Sequence, residues 1–211
     1  MATEMNDAGI YYPIWGTCQG FEEMATWPTN TNVLGSCKGT MAVSLPTNFT
    51  SKAETSKLYG AMPQFIRSIM QKESVTPNYH DLCLTSKEYA RNDDINKFFV
   101  SLSTSVDENG LEFVSSFESR EYPFYGVQFH PEKVNFLHAK GTRINQSLHA
   151  VLVGQYFGNF LVSEAKRNHN TFKSLAEESR FVIQSYQSQF IASEFLELYC
   201  LFQKDVPNFD P

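Results

Sequence analysis

Residues 11–22 read Y-Y-P-I-W-G-T-C-Q-G-F-E, a stretch that admits few backbone paths. Tyr11, Tyr12, Ile14 and Trp15 make a short apolar, β-favouring run, Gly16-Thr17-Cys18-Gln19-Gly20 turns sharply, and Phe21-Glu22-Glu23-Met24-Ala25 has helical character until Pro28 ends it. Strand, tight G-x-C-x-G turn and helix together predict a nucleophile elbow. The two glycines permit the turn and leave room beside the sulfur, so Cys18 stands at the C-terminal end of a strand. At a helix N-terminus its thiolate is expected to be favoured, because unpaired N–H groups and the helix dipole stabilise negative charge. The backbone N–H of Gln19 points into the same space and is a candidate oxyanion donor. The same residues also suit a buried core cysteine, so a catalytic reading depends on a base elsewhere in the chain.

Residues 122–132, Y-P-F-Y-G-V-Q-F-H-P-E, supply one. An aromatic-rich strand delivers His130 at its end, a proline fixes the bend, and a carboxylate follows two residues on. His130 can take the thiol proton and return it to a leaving group, while Glu132 holds the imidazole tautomer and stabilises its charged form. The long sequence separation is no obstacle, since such triads are assembled by the fold.

The chain has 211 residues, with 42% hydrophobic and 14% aromatic content, enough for one domain with a substantial core. A net charge of −6 and a pI of about 5.4 exclude a general nucleic-acid or anionic-membrane binder, which needs a basic surface. No apolar run approaches a transmembrane span, and residues 1–9 lack the basic start and apolar middle of a signal peptide. Yet Asn48-Phe49-Thr50 and Asn145-Gln146-Ser147 are both N-glycosylation sequons. Cys18, Cys37, Cys83 and Cys200 are too scattered for a zinc site or a C-x-x-C redox pair, so no metal is expected.

Between the two motifs, residues 40–45 predict a strand closed by Pro46, and residues 48–51 a loop. Met62, Phe65, Ile66, Ile69 and Met70 line one face of a helix over about 63–73. Residues 76–80 read as loop or edge strand. Residues 98–104 and 111–117, joined by Asp107-Glu108-Asn109-Gly110, predict a hairpin. The longest helix is expected over about 146–168, with Gly154 and Gly158 marking close packing. Residues 1–10 read as a disordered leader and 11–211 as one domain; the run at 195–202 has no assignment.

Together G-T-C-Q-G and Y-G-V-Q-F-H-P-E resemble the class I glutamine amidotransferase-like superfamily. Within it, Y-P-I-W-G-T-C-Q-G-F-E, Y-P-F-Y-G-V-Q-F-H-P-E-K, the N-F-T sequon and a helix ending in E-A-K-R-N resemble the γ-glutamyl hydrolases, over residues 11–173. The resemblance implies an α/β fold, a doubly wound and mostly parallel sheet flanked by helices. It implies Cys18 as nucleophile, His130 as proton acceptor and donor, and Glu132 as third member. The chemistry implied is hydrolysis of γ-linked glutamate tails on folates and antifolates through a γ-glutamyl thioester. The substrate is then a small molecule, no cofactor is needed, and lysosomal or extracellular residence and a homodimer are compatible. His80, in Asn78-Tyr79-His80, falls where these enzymes carry an N-x-H near the active site. Because the substrate is polyanionic and the protein acidic, local cations must line the site; Lys133 is the first candidate, then Lys140 and Arg143.

The family carries strands, helices and a glycine-rich turn before the elbow, the turn giving a second oxyanion N–H, whereas this chain begins ten residues before Tyr11. The comparison points to an N-terminally shortened form with an exposed strand edge, marginal stability and weak or absent hydrolysis. Losing one oxyanion donor costs about 10²–10³ in kcat. Two other readings share the residues: a glutaminase domain passing ammonia to a synthetase, and a non-catalytic remnant that keeps the triad.

Overall fold

A computed structural model of the chain describes residues 1–29, 31–136, 141–191 and 196–199. Its contacts divide the chain into two units, residues 1–136 with 141–168, and residues 137–140 with 169–211. The polar run at 166–173 offers few apolar side chains with which to extend the first unit's core.

The first unit opens with α1 (Ala2–Asp7), β1 (Ile14–Thr17) and α2 (Gln19–Thr26), then β2 (Gly35–Ser36), β3 (Val43–Leu45) and β4 (Asn48–Phe49). Next come α3 (Gln64–Lys72), β5 (Thr76–Asn78), β6 (Leu82–Cys83), α4 (Ser86–Arg91) and α5 (Asp93–Phe98). The long strands β7 (Phe99–Val106) and β8 (Glu112–Ser119) lead to β9 (Phe124–Val127), α6 (Lys133–Phe136) and α7 (Leu148–Ala165). The second unit holds α8 (Leu175–Glu178) and an antiparallel pair, β10 (Ser188–Ile191) with β11 (Leu196–Tyr199). Of the unassigned run at 195–202, Phe195, Cys200, Leu201 and Phe202 lie outside the described residues.

Residues 1–10 are not a disordered leader. The Asn6 side chain ties α1 to the following segment, donating to the carbonyls of Ala2 (2.8 Å) and Tyr12 (2.9 Å) and accepting from the Tyr12 N–H (3.1 Å). Tyr122 adds a hydroxyl donated to Asp7 at 3.1 Å.

Helices flank a five-stranded sheet of order β1-β9-β8-β7-β4, so the α/β class holds, but a mostly parallel sheet does not. β1 and β9 are parallel, while β9–β8, β8–β7 and β7–β4 are antiparallel. The reason is local. Asp107 Oδ1 accepts the N–H groups of Asn109 (2.9 Å) and Leu111 (2.8 Å), and Gly110 adopts φ +83°, so β7 turns straight back into β8. Asn48 and Phe49, expected in a loop, form β4 against Thr104 and Ser103 of β7.

Each face of the sheet carries a core. On one face Tyr125 and Val127 of β9 pack with Ile66, Ile69 and Met70 of α3 and with Ala150, Val153 and Phe157 of α7. Each such buried aliphatic side chain contributes about 1.5–3 kcal/mol. Phe65, placed by periodicity on the same face, is 58% exposed instead. On the other face Phe21, Met24 and Ala25 of α2 pack with Phe99, Val114, Phe117 and Phe124. Gly126 of β9 makes this possible: a Cβ there would sit 2.6 Å from the Phe117 ring and 2.9 Å from Phe21, whose rings stack at 4.2 Å.

The C-terminal end of α7 is fastened to the approach to β1. Glu164, nearly buried, accepts hydrogen bonds from the hydroxyls of Tyr125 (2.6 Å) and Tyr11. Arg167 lies 3.8 Å over the Tyr11 ring and donates to its hydroxyl (2.7 Å), and Asn168 donates to the Tyr11 carbonyl (2.8 Å). Among the described residues no helix is long and apolar enough to cross a membrane.

Candidate active site

The parallel pairing of β1 with β9 matches Thr17 with Val127, and the Cys18 N–H donates to the Val127 carbonyl at 2.9 Å. Both strands therefore end at the same edge of the sheet, and the residues that follow them, Cys18 and the segment through His130, emerge together. Cys18 has φ 53° and ψ −107°, a strained conformation for a residue with a Cβ, costing on the order of 1–3 kcal/mol. The turn that the motif predicts is real, but the strain sits on the cysteine and not on its glycines. Gly16 is needed for a different reason: a Cβ there would lie 2.6 Å from Met24 Sδ and 2.7 Å from the Gly20 carbonyl, blocking the return of α2. A Cβ on Gly20 would meet nothing within 4 Å.

His130 and Glu132 form the expected pair, with Nδ1 2.6 Å from Glu132 Oε1. The His130 backbone is anchored by its N–H to the Pro77 carbonyl at 2.7 Å, and its ring stands edge-on to Tyr79. Burial pushes the Glu132 carboxyl up, but the hydrogen bond and charge of His130, with Lys133 beside it, outweigh that and hold it below the usual range.

The thiol departs from expectation. Burial, and then the Glu22 carboxylate, push Cys18 up to about 11, against the Gln19 N–H and the Lys133 charge, which pull it down. At neutral pH the group is a thiol, not the thiolate that its place at a helix N-terminus implied. Among the described residues its hydrogen-bond acceptor is the Tyr79 carbonyl, at 3.7 Å, and not His130.

His80 does not offer a free ring nitrogen to a substrate. It is 4% exposed, its Nδ1 lies 2.7 Å from the Leu82 carbonyl and its Nε2 lies 3.1 Å from Asn78 Oδ1, so both ring nitrogens face acceptors within the fold. Burial first of all lowers its pKa to about 4, so the ring is neutral. Its place is beneath the site, where it holds the turn that carries Tyr79. The hydroxyl of Thr40 lies between the carbonyls of Cys37 and His80, and the Cys37–Cys83 disulfide, Cα–Cα 5.8 Å, closes the same frame.

The predicted cations separate. Lys133 Nζ lies 4.4 Å from the centroid of the Tyr79 ring. Arg143 is spent on a two-pronged ion pair with Glu108, one prong at 2.6 Å, and is not free for a ligand. Lys140 lies outside the described residues. Of the sequons, Asn48 is exposed on β4, whereas the Asn145 amide nitrogen donates to the Ser74 carbonyl (2.9 Å) and its oxygen accepts from the Ser147 N–H (2.9 Å). Among the described residues no cluster of His, Cys, Asp or Glu could hold a metal ion.

Three residues escaped the sequence reading. Tyr79 touches both Cys18 and His130. Glu22, four residues after Cys18, is a nearly buried carboxylate that accepts from Gln128 Nε2 at 2.9 Å and whose pKa burial raises. Gln128 is fully buried, and its Oε1 has no partner among the described residues. Only the spacing from Cys18 to Glu22, one helical turn, could have signalled any of them.

The peptidase C26 family profile matches residues 2–132, which include Cys18, His130 and Glu132. The chain belongs to the peptidase C26 family. Curated relatives include the γ-glutamyl hydrolase of Rattus norvegicus, 36% identical over 185 residues, covering 88% of this chain and 58% of that protein. That of Homo sapiens is 35% identical over 180 residues, covering 85% and 56%, and γ-glutamyl hydrolase B of Dictyostelium discoideum is 29% identical over 191 residues, covering 90% and 55%. The chain thus spans somewhat more than half the length of these relatives. The peptidase C26 match ends at Glu132, so α7 and everything after it lie beyond the family profile.

Proposed function

We propose that this chain carries the catalytic centre of a cysteine hydrolase that cleaves γ-glutamyl bonds of folylpoly-γ-glutamates and antifolate polyglutamates. The observation that carries the reading is the strained elbow that sets Cys18 at the same sheet edge as the His130–Glu132 pair, in a peptidase C26 chain. His130 accepts the thiol proton as sulfur attacks the γ-carbonyl carbon, and the Gln19 N–H faces the oxygen that becomes negative. The tetrahedral centre collapses to a γ-glutamyl thioester as the departing glutamate amine takes the proton from His130. Water, giving its proton to His130, then attacks the thioester; the γ-carboxylate leaves and the proton returns to sulfur. Because the thiol is protonated at rest, proton removal has to accompany attack, which makes His130 indispensable and not merely helpful.

Lys133, the cation beside the site, is suited to the α-carboxylate of the γ-glutamyl group. The exposed sequon at Asn48 fits an N-glycan, and hence a secreted or lysosomal protein, better than Asn145, whose amide is already engaged. The test is mass spectrometry of a pteroyl-poly-γ-glutamate after incubation with the purified chain and with Cys18→Ala. Loss of glutamate units with Cys18 and none without it is expected; equal loss from both, or none from either, refutes the proposal.

A further inference from the structure

Tyr79 is the common wall of the site. Its carbonyl receives the Cys18 thiol at 3.7 Å, its ring meets His130 at 84° with 6.4 Å between centroids, and its face carries Lys133 Nζ at 4.4 Å. The ring is held at its far end by a hydrogen bond between its hydroxyl and the Thr142 side chain. Its neighbours cannot yield, since Asn78 and His80 are buried and bonded, and the β3–β5 and β2–β6 pairings with the Cys37–Cys83 bridge clamp both sides of the turn. A lysine on a four-carbon stem otherwise samples many positions; an ammonium over an aromatic face is held in one, by about 0.5–2 kcal/mol.

We propose that Tyr79 is a positioning and specificity-determining residue that fixes the Lys133 ammonium beside Cys18, creating a subsite for a carboxylate borne on the acyl group that Cys18 accepts. This rests on the hydrolase reading for the identity of that group. In a γ-glutamyl donor the α-carboxylate stands about 5 Å from the scissile carbonyl when extended, stays on the acyl side of the cleaved bond, and is present in every step through the thioester. One cation can therefore hold the substrate, the acyl-enzyme and the product. Glu132 and Glu22 are the nearby carboxylates that oppose an anion here. Glu132 is hydrogen-bonded to His130 and Glu22 to Gln128, which leaves Lys133 as the group that turns toward the ligand. The influence of Lys133 on the Cys18 thiol supports its closeness to the reacting sulfur.

The experiment compares alkylation of Cys18 by iodoacetate and by iodoacetamide, read on the mass-mapped Cys18 peptide of the intact chain. Both reagents consume the same thiolate, so their rate ratio, normalised to N-acetylcysteine, isolates preference for an anion. The wild-type ratio is expected to exceed that of the free thiol, and Lys133→Gln to lower it about tenfold, as a unit charge roughly 6 Å away at intermediate dielectric would give. Tyr79→Leu should lower it at least about threefold, Tyr79→Phe should retain it, and the Leu and Gln changes together should go no lower than Lys133→Gln alone. An unchanged ratio in Lys133→Gln, which needs no change in the fold, overturns the subsite. An unchanged ratio in folded Tyr79→Leu overturns the positioning role. A wild-type chain that prefers iodoacetate but releases no glutamate overturns the hydrolase reading instead.

Discussion

Gly154, within α7, joins helix packing to the candidate site. An alanine Cβ there would stand 2.7 Å from the carbonyl oxygen of Pro131, the residue between His130 and Glu132. An ordinary carbon–oxygen contact needs about 3.3 Å, so roughly 0.6 Å has to be found. The opposing atom is backbone and cannot rotate away. Its segment is fixed by the His130 N–H on Pro77, and α7 is fixed by Ala150, Val153 and Phe157 in the core. Alanine favours a helix over glycine by about 0.8–1.0 kcal/mol, whereas overpacking of this kind costs about 1–3 kcal/mol. Gly154→Ala is therefore expected to be neutral to about 2 kcal/mol less stable. If a 1 Å displacement of catalytic groups costs about 10²-fold, the shift that relieves the clash lowers kcat about tenfold. Gly158→Ala is the control built into the same helix, because its Cβ would meet nothing closer than Gln155 Nε2 at 3.9 Å. That variant should gain most of the helical preference and keep its kcat. Urea unfolding and kcat on pteroyl-di-γ-glutamate read both effects, and the His130 Nδ1–H proton resonance reports the geometry without turnover. Equal stabilisation by both alanines, with kcat and the resonance unmoved, would refute the reasoning.

Two further expectations concern groups around Cys18. Glu22 has a raised folded-state pKa, so the folded chain holds its proton more tightly than the unfolded one, and stability falls as pH rises from the unfolded value of about 4.3 through the folded one. Glu22→Gln should be more stable than wild type above that window and not below it, by about 1.4 kcal/mol for each tenfold difference in proton affinity. It should also move the pH midpoint of Cys18 alkylation below the wild-type value of about 11; an unmoved midpoint would mean that Glu22 does not act on the sulfur. The Cys37–Cys83 bridge spans a sequence separation of 46, for which loop-closure entropy gives about 4 kcal/mol. Replacing both cysteines by serine should lower the urea midpoint accordingly, and unchanged stability would show that the loop between them is already ordered in the unfolded chain.

What the sequence revealed and what it hid divide along one physical line. The elbow, the His130–Glu132 pair, the β7–β8 hairpin and the helix over Gln64–Lys72 all rest on interactions within a few residues, which local pattern encodes. The resting thiol, the buried His80 and the Tyr79 wall each depend on what the fold brings from afar. Cys18 and Tyr79 are 61 positions apart, and Glu22 and Gln128 are 106 apart. No spacing rule connects a tyrosine to a cysteine at such a distance, and a helix N-terminus in the sequence does not disclose that burial will overrule its dipole. Asn48 shows the converse, because its turn-forming neighbours suggest a loop while pairing with β7 makes it a strand.

The same division bears on how the site works. A thiol held near pKa 11 on a strained elbow is inert until something removes its proton, and at rest that proton is donated to the Tyr79 carbonyl. On the proposed mechanism, an acyl group whose carbonyl oxygen meets the Gln19 N–H brings the reacting carbon to the sulfur while His130 takes the proton. A raised thiol pKa also lowers the reactivity of the resting cysteine toward oxidants and electrophiles, which attack thiolate and not thiol. The prediction that follows is asymmetric: Lys133→Gln, which also removes a charge that favours the thiolate, should slow anionic reagents more than neutral ones, whereas His130→Asn should spare slow alkylation by iodoacetamide, which needs no general base at alkaline pH, and abolish turnover. Loss of both in His130→Asn would place the histidine in control of the resting thiol, against the geometry seen here.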